Sequence, residues 1–289
     1  MAPLGHDRGM GRRPRTDYPG AIHHVMNRGV DRQPVFNADA DRIDFGRQLA
    51  VIHERHGIDV LAYCLMGNHY HLLVRSPGGN LAAAMHYLGI AYTRHANDRI
   101  GRDGPLFRGR YHALPVETDP YLRWVARYIH RNPLDLPSVD APDRYRWSSY
   151  RTYLGHRRVP PFLDTTTILA MFGHDVAALA RFTSDELVPA GQWSYPDLRQ
   201  LIGFTIADDD LRFSSDATRR RLDRTVTLLI VEHLGDEQVW SALRDDLRFP
   251  SLGAERTALR RAQERSTEPV VERIVQRLLR TISPIDQAA

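Results

Sequence analysis

Lysine is absent from this chain of 289 residues, so all 39 of its basic side chains are arginines. Arginine presents a rigid fork of donors that suits phosphate groups, but a lack of lysine along the whole chain is better attributed to genomic base composition than to selected chemistry. The net charge of +4 is moderate. It permits a polyanionic partner without requiring one.

Cysteine and long apolar runs are also scarce. Cys64 is the single cysteine, which excludes an internal disulfide framework and suits a reducing cytosol. No window approaches the run of about 18 apolar residues that a membrane helix needs, and the first residues carry charges and glycines where a secretory signal would be apolar. We therefore expect a cytoplasmic protein with no membrane contact.

The N-terminal half alternates between two hydrophobic periods. Apolar residues that alternate with polar ones, or that follow one another in short runs, predict strands over residues 21–26, 58–65, 69–75 and 107–116. Apolar residues spaced three and four positions apart predict helices over 39–56 and 81–96. The order strand, helix, strand, strand, helix, strand is typical of the ferredoxin-like split βαβ arrangement, an α+β fold with an antiparallel sheet. Helices would cover one face of this sheet and leave the other open for a site.

The predicted strand 69–75 carries two histidines at spacing two. Side chains alternate between the faces of a strand, so His69 and His71 share one face while Tyr70, Leu72 and Val74 share the other. Two neighbouring imidazoles can hold one metal ion. A purely structural role for such a pair is equally common, and the pair alone does not decide between them.

A predicted helix over residues 118–133 supplies further chemistry. Tyr128 and Asn132 are four residues apart and therefore lie on one helical face. The Asn132 oxygen with two imidazole nitrogens makes a three-point metal site with positions open for water and phosphate oxygens. Tyr121 is the weaker candidate nucleophile, because the residue four positions on is Val125, which cannot bind a metal.

These residues resemble a known family. His69-Tyr70-His71 resembles the histidine-hydrophobe-histidine (HUH) motif of single-tyrosine DNA nucleases and transposases. The segments 66–68, 128–133 and 147–150 (Met-Gly-Asn, Tyr-Ile-His-Arg-Asn-Pro and Trp-Ser-Ser-Tyr) are similar to the REP-associated tyrosine transposases, and the resemblance spans about residues 18–154.

The resemblance implies a function for each of these residues. Tyr128 would be the nucleophile, and His69, His71 and Asn132 would hold Mg²⁺ or Mn²⁺. Such proteins cleave single-stranded DNA beside hairpins of short palindromic repeats, form a 5′-phosphotyrosine and transfer strands. We thus expect a transposase that associates with the nucleoid when it is bound to DNA.

Four arginines are candidates for contacts with DNA phosphates. Arg108 and Arg110 belong to the predicted fourth strand, and Arg13 and Arg15 belong to a basic N-terminal arm. A solvated charge or a disordered tail is the competing interpretation for each.

The sequence predicts a transposase domain over residues 16–155, a linker over 156–194 that is rich in Pro, Asp and Arg, and a helical domain over 195–289. The last is weakly similar to the double-strand DNA-binding domain of the bacterial replication initiator DnaA, but segment 254–258 (Ala-Glu-Arg-Thr-Ala) replaces the acidic-histidine recognition signature. Binding of duplex DNA and a packing or dimerisation role both stay open, as does the choice between monomer and homodimer.

Two other functions compete with a transposase. A repeat-hairpin binder or repressor could keep the fold without cutting, although it has no need of all four residues His69, His71, Tyr128 and Asn132. A small metal-dependent hydrolase is disfavoured because no acidic cluster accompanies the histidines in the sequence.

Overall fold

The protein is built on a four-stranded antiparallel sheet. The structure is a computed structural model that describes residues 17–184, 193–209 and 215–282. The strands are β1 (Ala21–Arg28), β2 (Asp59–Leu65), β3 (His69–Ser76) and β4 (His112–Pro115). Their order β2-β3-β1-β4, with all neighbours antiparallel, confirms the predicted ferredoxin-like α+β fold.

The predicted fourth strand is too long. Residues 112–115 form the strand, and Phe107 makes only an isolated bridge to Gly29. The loop before the strand runs through Gly109, whose φ of 159° lies at the edge of the range that side chains rarely adopt. β4 is an edge strand, the position in which a terminal proline such as Pro115 is tolerated.

Two helices, α1 (Asp39–His56) and α2 (Leu81–Ile100), cover one face of the sheet. The side chain of Asp41 caps the start of α1, because it accepts hydrogen bonds from the backbone N–H groups of Asn37 and Ala38. Gly57, which follows the last residue of α1, has the left-handed backbone conformation. Tyr70, Leu72 and Val74 of β3 pack into this layer. This is the face predicted for them by the alternation of the strand.

The opposite face is covered first by α3 (Asp119–Arg131). Thr118 caps this helix by accepting a hydrogen bond from the Tyr121 N–H, and Pro120 stands in the first turn, where its missing N–H costs nothing. After Arg131 the chain tightens into a 3-10 turn over Asn132–Asp135. Both apolar stripes of α3 are buried.

Short helices follow in the region that the sequence assigned to the end of the first domain and a linker. They are α4 (Tyr150–Tyr153), α5 (Thr166–Ala170) and α6 (Val176–Ser184). Ile168 and Leu179 are buried in the same core as α3. Residues 156–184 are therefore packed structure rather than an extended spacer, while the predicted domain boundaries stay predictions.

Five C-terminal helices complete that layer: α7 (Tyr195–Asp208), α8 (Asp216–Leu234), α9 (Glu237–Leu247), α10 (Leu252–Glu264) and α11 (Pro269–Ile282). Their apolar residues form one continuous core with α3. The prediction that the second face of the sheet stays open is therefore wrong, because α3, α7 and α11 cover it.

None of the helices in the described residues is both long and apolar enough to cross a membrane.

Candidate active site

β3 and α3 bring the four predicted site residues into one cluster. The Nε2 atom of His69 lies 3.2 Å from the Oδ1 atom of Asn132. The rings of His69 and His71 are 5.1 Å apart, and the rings of His71 and Tyr128 are 5.5 Å apart. Residues more than 50 positions apart in the chain thus meet on the covered face of the sheet.

Hydrogen bonds fix the orientation of both imidazoles. His69 Nδ1 lies 2.7 Å from the Asn68 side-chain oxygen, and His71 Nδ1 lies 3.2 Å from His24 Nε2. With Nδ1–H as the donor in each pair, both Nε2 atoms keep a lone pair for a ligand. His24 was not identified as a site residue from the sequence. The only feature of the sequence that draws attention to it is the adjacent histidine, His23, on β1.

The donor set fits a divalent metal ion. In this tautomer, His69 Nε2 and Asn132 Oδ1 are two acceptors that face each other, an arrangement that a cation between them stabilises. Their separation matches the spacing of about 3 Å between neighbouring ligands in an octahedral site with bonds of about 2.1 Å. Among the described residues, His71 Nε2 has no hydrogen-bond partner.

Burial keeps the histidines neutral. It lowers the pKa of His69 to about 3 and the pKa of His71 well below its ordinary value, because the charged form loses its hydration. Neutral imidazole is the form that binds metal ions. The site therefore keeps its ligand atoms unprotonated at physiological pH.

Tyr128 is a protonated phenol in this structure. Burial raises its pKa above the ordinary value, and the guanidinium of Arg277, 5.4 Å from the centre of its ring, offsets only part of that effect. A phenol is a weak nucleophile. Attack by Tyr128 thus requires a group that removes or attracts its proton.

A carboxylate from the C-terminal helices enters the cluster. Asp208, the last residue of α7, is fully buried, and its Oδ2 atom lies 3.8 Å from His71 Nε2. Arg28 donates to Oδ1 at 3.0 Å, and Arg277 of α11 donates to Oδ2. Burial alone would raise the pKa of Asp208, but Arg277 and then Arg28 hold it well below its usual range.

The sequence shows no acidic cluster beside the histidines, and the structure adds a single carboxylate, Asp208, from a distant part of the chain. Asp208 stands 137 positions after His71, so no local spacing could reveal it. Arg28 and Arg277 were missed for the same reason. An acidic run, 208–210, was the only signal, and acidic runs are usually solvated.

The site is closed by α7 and α11. Phe204 of α7 stacks on His24 with ring centres 3.6 Å apart, and Tyr128 retains only 2% of its accessible surface. The cavity beside Tyr128 and Arg277 has a volume of about 10 Å³, barely the space of one water molecule. A phosphate group reaches Tyr128 only after these helices move.

The predicted DNA-binding arginines lie outside this cluster or outside the described residues. Arg110 is exposed, and Arg108 donates to the carbonyl of Ala207 at 3.0 Å. Both line a cleft next to α7 and α8. Arg13 and Arg15 fall outside the residues that the structure describes.

Comparisons with known proteins show a similarity in the N-terminal part of the chain. Residues 18–132 match the family described as IS200-like transposases. Among solved structures, a REP-associated tyrosine transposase bound to a REP hairpin is similar, with 13% identity, a TM-score of 0.43, and coverage of 54% of this chain and 94% of that one. No curated protein matches the chain.

The structure shows a split βαβ sheet in which the strand with the two histidines faces the helix that carries Tyr128. The match of residues 18–132 to the IS200-like transposases supports the resemblance that the motifs predict. All four predicted site residues lie within this segment or at its last position.

Proposed function

We propose that the protein is a metal-dependent nuclease and strand transferase that acts on single-stranded DNA at repeat hairpins. The observation that carries this proposal is the convergence of His69, His71 and Asn132 with the phenol of Tyr128 in one buried cluster. A protein that only binds DNA gains nothing from this combination. The solved relative bound to a REP hairpin supports a hairpin as the class of substrate.

The reaction is a transesterification at phosphorus. A Mg²⁺ or Mn²⁺ ion held by His69, His71 and Asn132 would polarise the scissile phosphate. The Tyr128 oxygen attacks phosphorus, the phenolic proton leaves, and the bond from phosphorus to the 3′ oxygen breaks. The products are a 5′-phosphotyrosine and a free 3′-hydroxyl. Because the new ester conserves the phosphodiester, a 3′-hydroxyl can reverse the step and join strands.

Orientation is the main contribution of the protein. Asn68 and His24 hold the two imidazoles with their Nε2 atoms directed into the site. Tyr128 lies in the last turn of α3 and Asn132 is the residue that directly follows this helix, one turn further on, so the same helix positions the ligand oxygen and the nucleophile. Positioning of this kind converts a bimolecular attack into an intramolecular one.

The test is covalent capture of an oligonucleotide with a hairpin and a single-stranded flank. The wild-type protein is expected to form a protein–DNA adduct with Mn²⁺ or Mg²⁺ and none with EDTA, and Tyr128→Phe is expected to form none. Tyr121→Phe is the matched control, because Tyr121 is equally buried on the same helix but stands 11 positions before Asn132, about three helical turns from the proposed metal position. An undiminished adduct in Tyr128→Phe contradicts the proposal.

The second candidate is a repeat-hairpin binder or repressor that does not cut. The closed state of the site favours it, since Tyr128 is covered by α7 and α11. The same experiment separates the two functions. Hairpin retention without an adduct in any metal supports the binder.

A further inference from the structure

The C-terminal helices contribute a side chain to the site of the transposase domain. One ligand atom each from His69, His71 and Asp208 lies within 4.8 Å of the other two, and all three residues are buried. Two ligands opposite each other at about 2.1 Å from an ion lie about 4.2 Å apart, so small side-chain movements bring three atoms at this separation around one cation. Asp208 stands on α7, outside the segment that matches the transposase family.

The environment of Asp208 leaves room for an additional bond. A carboxylate accepts at up to about four positions, and Arg28 and Arg277 each occupy one oxygen. The Oδ2 atom also faces His71 Nε2 at 3.8 Å, a separation too long for a hydrogen bond. His71 Nε2 has no hydrogen-bond partner within the described residues, and Arg277 donates to the same Oδ2 atom.

The chemistry of the donors points in the same direction. Mg²⁺ and Mn²⁺ prefer oxygen ligands, and an anionic carboxylate is a stronger ligand than the neutral amide of Asn132. Two imidazoles and one amide carry no charge, so Asp208 is the only anion of the cluster in the described residues. Arg28 and Arg277 offset its charge when no cation is bound.

We propose that Asp208 is a ligand of the same divalent ion as His69 and His71, so that the metal site is completed by a residue of the C-terminal helices. This inference rests on the proposed metal-dependent function. It has a mechanical consequence: the ion ties α7 to β3, so metal binding and docking of the C-terminal helices stabilise each other. Departure of α7 to admit DNA then removes one ligand and frees a position for a phosphate oxygen.

The first experiment measures Mn²⁺ affinity of the full chain by isothermal titration calorimetry, without DNA. Asp208→Asn is expected to weaken binding by roughly tenfold or more, the effect of removing an important group from a metal site. Asp209→Asn is the matched control. It removes the same charge from the next position and breaks the hydrogen bonds with Arg273 of α11, but it is not part of the cluster, so the affinity should stay within about twofold.

The second experiment distinguishes ligation from a role in docking alone. Asp208→Cys places a thiolate at the position, and Co²⁺ bound to a thiolate gives a charge-transfer absorption in the near ultraviolet that imidazole and oxygen ligands lack. The wild-type protein, with Cys64 in the core, provides the baseline. Appearance of the band in Asp208→Cys supports direct ligation, and bound Co²⁺ without the band overturns it, whatever Asp208→Asn does to affinity.

The outcomes separate this inference from the proposed function. If the wild-type protein binds Mn²⁺ and Asp208→Asn binds it equally well, only the assignment of Asp208 fails. If the wild-type protein binds no Mn²⁺ and no Co²⁺, the metal site itself is wrong and both proposals fail. Far-ultraviolet circular dichroism of each variant shows whether the fold is retained.

Discussion

At the scale of single residues, Ser149 connects the sheet to the helix that carries Tyr128. Its hydroxyl accepts from the backbone N–H of Tyr63 at 2.9 Å, donates to the Tyr63 carbonyl at 3.2 Å and lies 3.0 Å from His130 Nε2. His130 stands between Tyr128 and Asn132 on α3, and burial lowers its pKa to about 3. One hydroxyl thus sets the distance between β2 and the C-terminal end of α3.

We predict that Ser149→Ala lowers the free energy of unfolding by about 1–3 kcal/mol, because the Tyr63 N–H and the His130 Nε2–H are left buried without an acceptor. Urea denaturation at neutral pH measures the change. Ser148→Ala is the control, since Ser148 is equally buried but its hydroxyl accepts a local hydrogen bond from the Tyr150 N–H, two residues on. Equal losses of unfolding free energy in the two variants would contradict the prediction that the contacts of Ser149 stabilise the fold more than those of Ser148.

At the scale of elements, α3 and α11 are joined through buried arginines. Arg127 donates to the carbonyl of Thr281 at 2.9 Å, and Arg131 donates to the carbonyl of Arg280 at 2.7 Å. The last carbonyl groups of a helix have no hydrogen-bond partner within that helix. The guanidinium groups of Arg127 and Arg131 on α3 therefore donate to carbonyl groups at the end of α11. The same contacts place Arg277 of α11 over Tyr128.

The stacking of Phe204 on His24 is the corresponding contact between α7 and the sheet. We predict that Phe204→Ala lowers the free energy of unfolding by about 3–5 kcal/mol, because a buried phenyl ring leaves a cavity that the surrounding strands and helices cannot fill. Chemical denaturation measures the global loss. Hydrogen exchange of α7 is expected to accelerate, since the ring fastens that helix over the site.

Phe249→Ala is the reference for this experiment. Phe249 follows α9 and is only half-buried, so a smaller loss is expected from the same change in side-chain volume. A Phe204→Ala protein that is as stable as Phe249→Ala contradicts the view that Phe204 holds α7 on the sheet.

At the scale of the whole molecule, a basic cleft lies between the N-terminal sheet domain and the C-terminal helices. It has a volume of about 550 Å³. Its charged lining comes from both parts of the chain: Arg108, Arg110, His112, Arg219, Arg220 and Asp223. Such a surface suits the backbone of a nucleic acid strand that enters the site between the two parts.

We predict that the double variant Arg110→Ala, Arg220→Ala binds hairpin DNA more weakly and reduces the slope of log affinity against log salt concentration by about two, one for each phosphate contact. Fluorescence anisotropy over a range of salt concentrations measures the slope. Arg260→Ala is the control, because Arg260 is exposed on α10 and pairs with Glu264. An unchanged slope in the double variant would show that these two arginines do not contact DNA phosphates and would contradict a DNA-binding role of the cleft.

The local pattern of the sequence determined the core of the N-terminal domain. Alternation along residues 69–75 placed His69 and His71 on one face of β3, and the four-residue spacing placed Tyr128 and Asn132 on one face of α3. Both depend only on the period of the backbone. Residue types at short range also set the caps of α1 and α3, and they are visible in the chain without knowledge of its partners.

The tertiary structure decided what surrounds that core. His24, Arg28, Asp208 and Arg277 meet the histidines through strand pairing and helix packing across more than 40 positions of the chain. The sequence predicted an open sheet face, whereas α7 and α11 cover it, because their apolar residues share one core with α3. Contacts of that kind depend on how separate amphipathic faces fit together, and no periodicity within one segment encodes them.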